Sequence, residues 1–176
     1  MGISYTPVWV HGNAMQYNQE EVDKLNISVS YKSDGFTITP PSPRRFVPDD
    51  LILFLPITTF PVISNAVTKV ASMILKYDLP EETGAVISDL RLIQSDTKIY
   101  KFKNLFLPLT GPFMDEPVQD RNEWSAKSLK VIPNDGNLGA CIEITISFKV
   151  APSNSEARII IGGGGLSLEH TKFQRD

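Results

Sequence analysis

Between Ala140 and Val150 apolar and polar side chains alternate without a break. That is the period of a β-strand, whose successive side chains point to opposite faces of a sheet. Ala140, Ile142, Ile144, Ile146, Phe148 and Val150 are expected on the core face. Cys141, Glu143, Thr145, Ser147 and Lys149 are expected to face water or a more polar neighbour. The same period returns along the chain, in Val8-Trp-Val10 and in Leu25, Ile27, Val29 and Tyr31. It recurs in Phe36 and Ile38 behind the Asp34-Gly35 turn signal. The alternation around Trp9 predicts a ring that is buried or covers a sheet edge. Leu51 to Leu55 is solidly apolar, as in a strand covered on both faces or deep in a core. Residues 85–93 and 97–102 flank Gln94-Ser-Asp96 and predict a hairpin. Residues 129–132 and 139–150 flank the turn cluster Pro133-Asn-Asp-Gly-Asn137. Residues 157–161 and 166–168 form a last strand or strand pair, and Pro56 and Pro61 predict an edge or bulge.

Residues 67–77 read two ways. Val67, Val70, Ala71, Ile74 and Leu75 fit the spacing of an amphipathic helix. Ala71, Met73, Leu75 and Tyr77 fit one face of a strand, and the strand-rich surroundings select the strand. Prolines fall mainly between strand candidates, and the longest irregular stretch runs from about Asn104 to Ser125. About nine or ten short strands separated by turn signals predict an all-β chain, an antiparallel β-sandwich of jelly-roll-like form. No repeat or linker divides the sequence, so one domain over residues 1–176 is expected.

Composition narrows the partners. A formal charge of −3 gives no basic field for phosphates, so nucleic acid is not the expected partner. No apolar run reaches the ~18 residues of a membrane helix, so no membrane partner is expected. No secretory signal is visible at the N-terminus, and the single cysteine, Cys141, forms no internal disulfide; the cytoplasm is slightly favoured. Cys141 has no nearby His or Lys cluster to activate it and reads as a small semi-buried residue. Met1-Gly-Ile-Ser-Tyr-Thr6 matches the myristoylation pattern but lacks the second signal that stable anchoring requires.

Chemistry is sparse. There is no nucleophile elbow, no H-E-x-x-H spacing and no calcium-loop ladder, so no catalytic residue, cofactor or metal site is predicted. The histidines are His11 and His170. His11 is expected to tip a turn and bond local backbone; a metal site shared with His170 would require the two chain ends to meet. Asp115, Glu116 and Asp120 offer carboxylates for a loop calcium site without the usual spacing. Gly162 to Gly165 precede strand alternation rather than a helix, which favours a bulge or close backbone approach over a phosphate loop. The most suggestive polar and aromatic cluster is Gln119 to Trp124 on the long irregular stretch. Trp124 would stack on a sugar ring while Asp120, Arg121 and Asn122 bond its hydroxyls; the plainer reading has Trp124 opening a strand and packing over the sandwich. A non-catalytic module binding carbohydrate or another small ligand through loops at one sandwich end is therefore the leading expectation. A structural protein forming homo-oligomers through its sheets is the alternative, and a hydrolase on the same scaffold is third.

Pro7-Val-Trp-Val-His-Gly12, Ala85-Val-Ile-Ser-Asp-Leu-Arg-Leu92, Trp124 ahead of the strand around Gly139, and Arg158-Ile-Ile-Ile161 with its glycine patch resemble an uncharacterised all-β family opening with a Trp-Val-His-Gly motif. The resemblance spans most of the chain and implies a jelly-roll or sandwich fold with no assigned activity. The chain departs from it at Ser95-Asp96, where such proteins tend to carry an Asp-Gly turn.

Overall fold

The computed structural model describes residues 2–40, 49–60, 62–63, 66–94, 97–102, 121–130, 139–149, 152–154 and 156–172. Two antiparallel sheets pack face to face. The strands are β1 (Gly2–His11), β2 (Gln16–Tyr17), β3 (Ser28–Lys32), β4 (Gly35–Thr39), β5 (Leu51–Thr58), β6 (Val62–Ile63) and β7 (Ala66–Val67). They continue with β8 (Lys69–Asp78), β9 (Ala85–Gln94), β10 (Thr97–Phe102), β11 (Arg121–Lys130), β12 (Gly139–Phe148) and β13 (Ile159–Lys172). Sheet A runs β11-β8-β13-β4-β3 with β1 also on β13, and sheet B runs β10-β9-β12-β5-β2; β6 and β7 make a small ribbon. The all-β sandwich expected from the patterning is therefore present. No helix among the described residues is long and apolar enough to cross a membrane.

The alternating stretch is β12, the centre of sheet B between β9 and β5. Ala140, Ile142, Ile144, Ile146 and Phe148 are buried, facing a core that includes Leu53 and Leu55 of β5 and Phe36, Leu75 and Leu166 of sheet A. Val150 lies outside the described residues. The contested segment is strand: β8 lies between β11 and β13, and most of its residues are buried. A central strand covered on both sides carries apolar residues on both faces, which is why its sequence also matches a helical template. Among the described residues β2 pairs with Leu53 and Phe54 of β5 and not with Pro56, which leaves β5 one-sided there and accommodates the proline.

The structure corrects the reading of Leu25 to Tyr31. Leu25 ends a helix, α1 (Gln19–Leu25), and the strand begins only at Ser28. The Asn18 side chain caps α1 by accepting from the Glu20 N–H, Glu20 and Glu21 sit in its first turn, and Asn26 ends it at φ 54°. These are ordinary start and stop signals. Val22 and Leu25, one turn apart, drop into the core.

The last segment is one long strand. β13 pairs with β8 along one side, while on the other it pairs first with β4 (Ile159–Ile161) and then with β1 (Gly163–Lys172). The change of neighbour falls at Gly162, where the register against β8 shifts as in a bulge. Gly12 stands at this junction, and a Cβ there would collide with the Ile161 carbonyl. Gly164 faces inward, where a Cβ would lie 2.7 Å from Leu55 Cδ2. The glycine run thus serves close approach.

Candidate functional site

Three regions carry side chains that could do chemistry, and they differ in how the fold presents them.

The expected cluster at Asp120 to Trp124 is not a loop from Arg121 onward. Arg121, Asn122 and Trp124 occupy the first half of β11, opposite Lys76, Leu75 and Met73 of β8. Asp120 lies outside the described residues, as do Asp115, Glu116 and the turn at Pro133 to Asn137.

The histidines are separated. His11 faces Gly163 and His170 faces Ser4 across the β1–β13 ladder, seven β13 positions apart and so about 23 Å at strand rise. They do not share an ion. His11 behaves as its position predicts: Nδ1 accepts from the Asn13 N–H and Nε2 donates to the Ser33 carbonyl, pinning the turn after β1. His170 is buried with Nε2 3.0 Å from Thr6 Oγ1, stitching β1 to β13. No group of three or more His, Cys, Asp or Glu side chains that could hold a metal occurs among the described residues.

The outer face of β12, at the centre of sheet B, is polar yet closed. Glu143, Thr145 and Ser147 are only 6%, 7% and 4% exposed, although alternation points them away from the core. Two of them have partners on β9, Glu143 through an ion pair and Ser147 through a hydrogen bond. Arg91 Nη1 lies 2.7 Å from Glu143 Oε1, its register partner, and Nη2 lies 3.8 Å from Asp89. Ser147 Oγ donates to Ser88 Oγ at 2.8 Å, and Ser88 Oγ reaches the Thr145 carbonyl at 3.4 Å. Both carboxylates of this group face the one guanidinium. Cys141 lies on the same face, half-buried; burial pushes its thiol up to about 11, an effect partly offset by its bond to the Leu55 backbone.

The outer face of β1 is the reverse, apolar yet open. Odd and even positions split cleanly, with Val8 and Val10 packed toward the core and Ile3, Tyr5, Pro7, Trp9 and His11 turned outward. Ile3, Tyr5 and Trp9 are 66%, 58% and 46% exposed. Trp9 is therefore neither buried nor an edge cover. Its six-membered ring lies across Gly163 and Gly165 of β13: a Cβ on Gly163 would stand 2.9 Å from Cζ2 and 3.1 Å from Cε2, and one on Gly165 3.1 Å from Cε3. The absent side chains leave a shelf on which the ring rests against backbone, with the rest of its surface in solvent. Ser167 and Glu169 hold the register positions opposite Pro7 and Tyr5, between and beside the two aromatic rings. Tyr31, also exposed, is committed elsewhere: its hydroxyl donates to the Met15 carbonyl and its ring packs 5.3 Å from that of Phe36.

Along the sequence, the aromatic residue set among polar ones is Trp124. The signal that would have found this face is the pairing of the alternating Tyr5-x-x-x-Trp9 with the glycines of the last strand. That pairing is spatial and does not show in a linear reading.

No protein-family model matches the chain, and no curated protein does. Among solved structures, the enzymatically active domain of bacteriophage CBA120 tailspike protein 4 matches over 94% of this chain at 10% identity, with a TM-score of 0.34. The chain spans 19% of that protein's length. A likeness at that level carries no argument about activity.

Proposed function

We propose that the protein is a non-catalytic module that binds carbohydrate on the outer face of β1, with Trp9 as the principal stacking surface. The observation that carries this reading is the Trp9 ring seated on Gly163 and Gly165 with about half its area open. An exposed indole held against backbone has little freedom left to lose on binding, and its open π-face suits the apolar face of a pyranose. Ser167, opposite Pro7 and two positions along β13 from Gly165, stands beside it as a group able to bond a sugar hydroxyl. The reading keeps the ligand class expected from the sequence and moves its centre from the region of Trp124 to the face of sheet A.

Affinity electrophoresis against immobilised neutral polysaccharides, with a thermal-shift panel of the corresponding oligosaccharides, tests it. A ligand at ten times its dissociation constant should stabilise the protein by about 1.4 kcal/mol. Retardation and shift are expected for the wild type and lost in Trp9→Ala, whose far-ultraviolet circular dichroism should be unchanged. Absence of both effects with every glycan would reject the reading.

One observation favours the alternative, self-association through the sheets. Among the described residues β1 pairs on one side only, with β13, leaving ten residues of backbone edge. Pro7 in its middle removes an N–H and weakens the edge as a template. A sedimentation mass that rises with concentration in the wild type and falls in an Ile3→Lys variant would favour it.

A further inference from the structure

Resting on the carbohydrate reading above, we infer that the ligand is an extended, uncharged polysaccharide chain that runs along β1 and occupies Trp9 and Tyr5 as two separate stacking subsites. Tyr5 and Trp9 share the outward face four positions apart, a separation of about 13 Å at strand rise. That exceeds one pyranose ring, so a single sugar touches one aromatic only. A strand face has no walls to enclose a small ligand, and affinity on it comes from several weak contacts made by one molecule. Pro7, between the two rings, adds apolar surface, and Ser167 opposite it is placed to bond a hydroxyl along the same line.

Area and charge decide between this occupant and others. Scaled by their exposures, Ile3, Tyr5 and Trp9 together open roughly 350 Å² to solvent. A standard protein interface takes about 800 Å² from each partner, so this row is too small to hold a second folded protein by itself. It suits a chain of a few sugar units. Glu169 and Lys69 of β8 hold facing register positions, opposite charges on neighbouring strands of one sheet. Facing charges of opposite sign offer a polymer of either sign no field of one sign to follow, which selects a neutral chain.

The test is a ladder of cello-, xylo- and manno-oligosaccharides from monosaccharide to hexasaccharide, titrated calorimetrically into wild type, Tyr5→Ala, Trp9→Ala and Trp9→Tyr. Chains of the matching sugar long enough to span both rings should bind at least about tenfold more tightly than the disaccharide. Tyr5→Ala should bring the hexasaccharide down to the disaccharide level and leave the disaccharide unaffected. Trp9→Ala should abolish both, and Trp9→Tyr, which keeps a ring on the glycine shelf, should retain measurable binding and so exclude misfolding as the cause. Equal affinity for disaccharide and hexasaccharide, with Tyr5→Ala silent, would overturn the two-subsite inference while leaving carbohydrate binding intact. Preferential retardation by an acidic polysaccharide over neutral ones would overturn its uncharged character. Absence of binding to every oligosaccharide and polymer would overturn the underlying reading as well, as would a rise in sedimentation mass that Tyr5→Ala and Trp9→Ala abolish, which would identify the occupant as a second copy.

Discussion

The outer faces of the two sheets are built the wrong way round for a simple inside-outside rule. On sheet B, alternation sends Glu143, Thr145 and Ser147 outward, yet they are closed off from solvent, with Glu143 paired to Arg91 and Ser147 to Ser88. On sheet A, the same alternation sends Ile3, Tyr5 and Trp9 outward along β1, and they stay open. A strand's period assigns a side chain to a face; what covers that face is decided by other elements. The two faces also differ in what they offer a ligand. The polar groups of sheet B are shut away from solvent, whereas a supported and uncovered aromatic ring is open to a ligand.

The largest effect that would sharpen the contrast comes from breaking the closed face. Arg91→Ala leaves the Glu143 carboxylate in a buried site without its counter-charge. Removing one partner of a buried pair costs about 3–5 kcal/mol, while replacing both with apolar residues is often neutral. Arg91→Ala should therefore lower stability by about that amount in urea denaturation, and Arg91→Leu with Glu143→Leu should recover most of it. If Arg91→Ala cost less than about 1 kcal/mol, the pair would be behaving as a surface salt bridge and the face would be open after all.

A smaller effect is expected on the open face. A Cβ on Gly165 would press on the Val8 carbonyl and stand 3.1 Å from the Trp9 ring. Gly165→Ala should destabilise by about 1–3 kcal/mol, as overpacking does, and should also lift the indole from its shelf. Trp fluorescence, carried by Trp9 and Trp124 alone, would report the change as a shift in emission and in acrylamide quenching. A variant with unchanged stability and emission would show that the glycines are not what seats the ring.

How far such features were legible in the sequence follows from how local their causes are. The period of β12 was plain because one of its faces packs on the core throughout. β8 was ambiguous because both of its faces are covered, and only its setting among strands resolved it. α1 was missed because Leu25 belongs both to the helical spacing from Val22 and to a run alternating with Ile27, Val29 and Tyr31; the cap at Asn18 and the acids behind it were the deciding signals. The burial of Glu143 depends on Arg91 of another strand, and the shelf beneath Trp9 on glycines near the far end of the chain. Neither is visible until the strands are paired, and so the candidate binding face was far less legible than the fold.

The smallest effect tests how completely the outer face of sheet B is shut at its Cys141 end. Burial raises this thiol from 9.0 to about 11. A two-unit rise means about a hundredfold less thiolate at pH 8 in the folded than in the unfolded chain. The sign is that of an acid held protonated: the stability linked to Cys141 is fully present below pH 9.0 and is lost as pH rises toward about 11. Alkylation of the native protein by iodoacetamide at pH 8 should run about a hundred times slower than in denaturant, since only the thiolate reacts. The native rate should keep climbing about tenfold per pH unit beyond pH 9. A plateau near pH 9, with native and denatured rates alike, would mean that solvent reaches Cys141 freely. The closed face of sheet B would then end short of this cysteine, and the contrast between the two faces would rest on Arg91 and Glu143 alone.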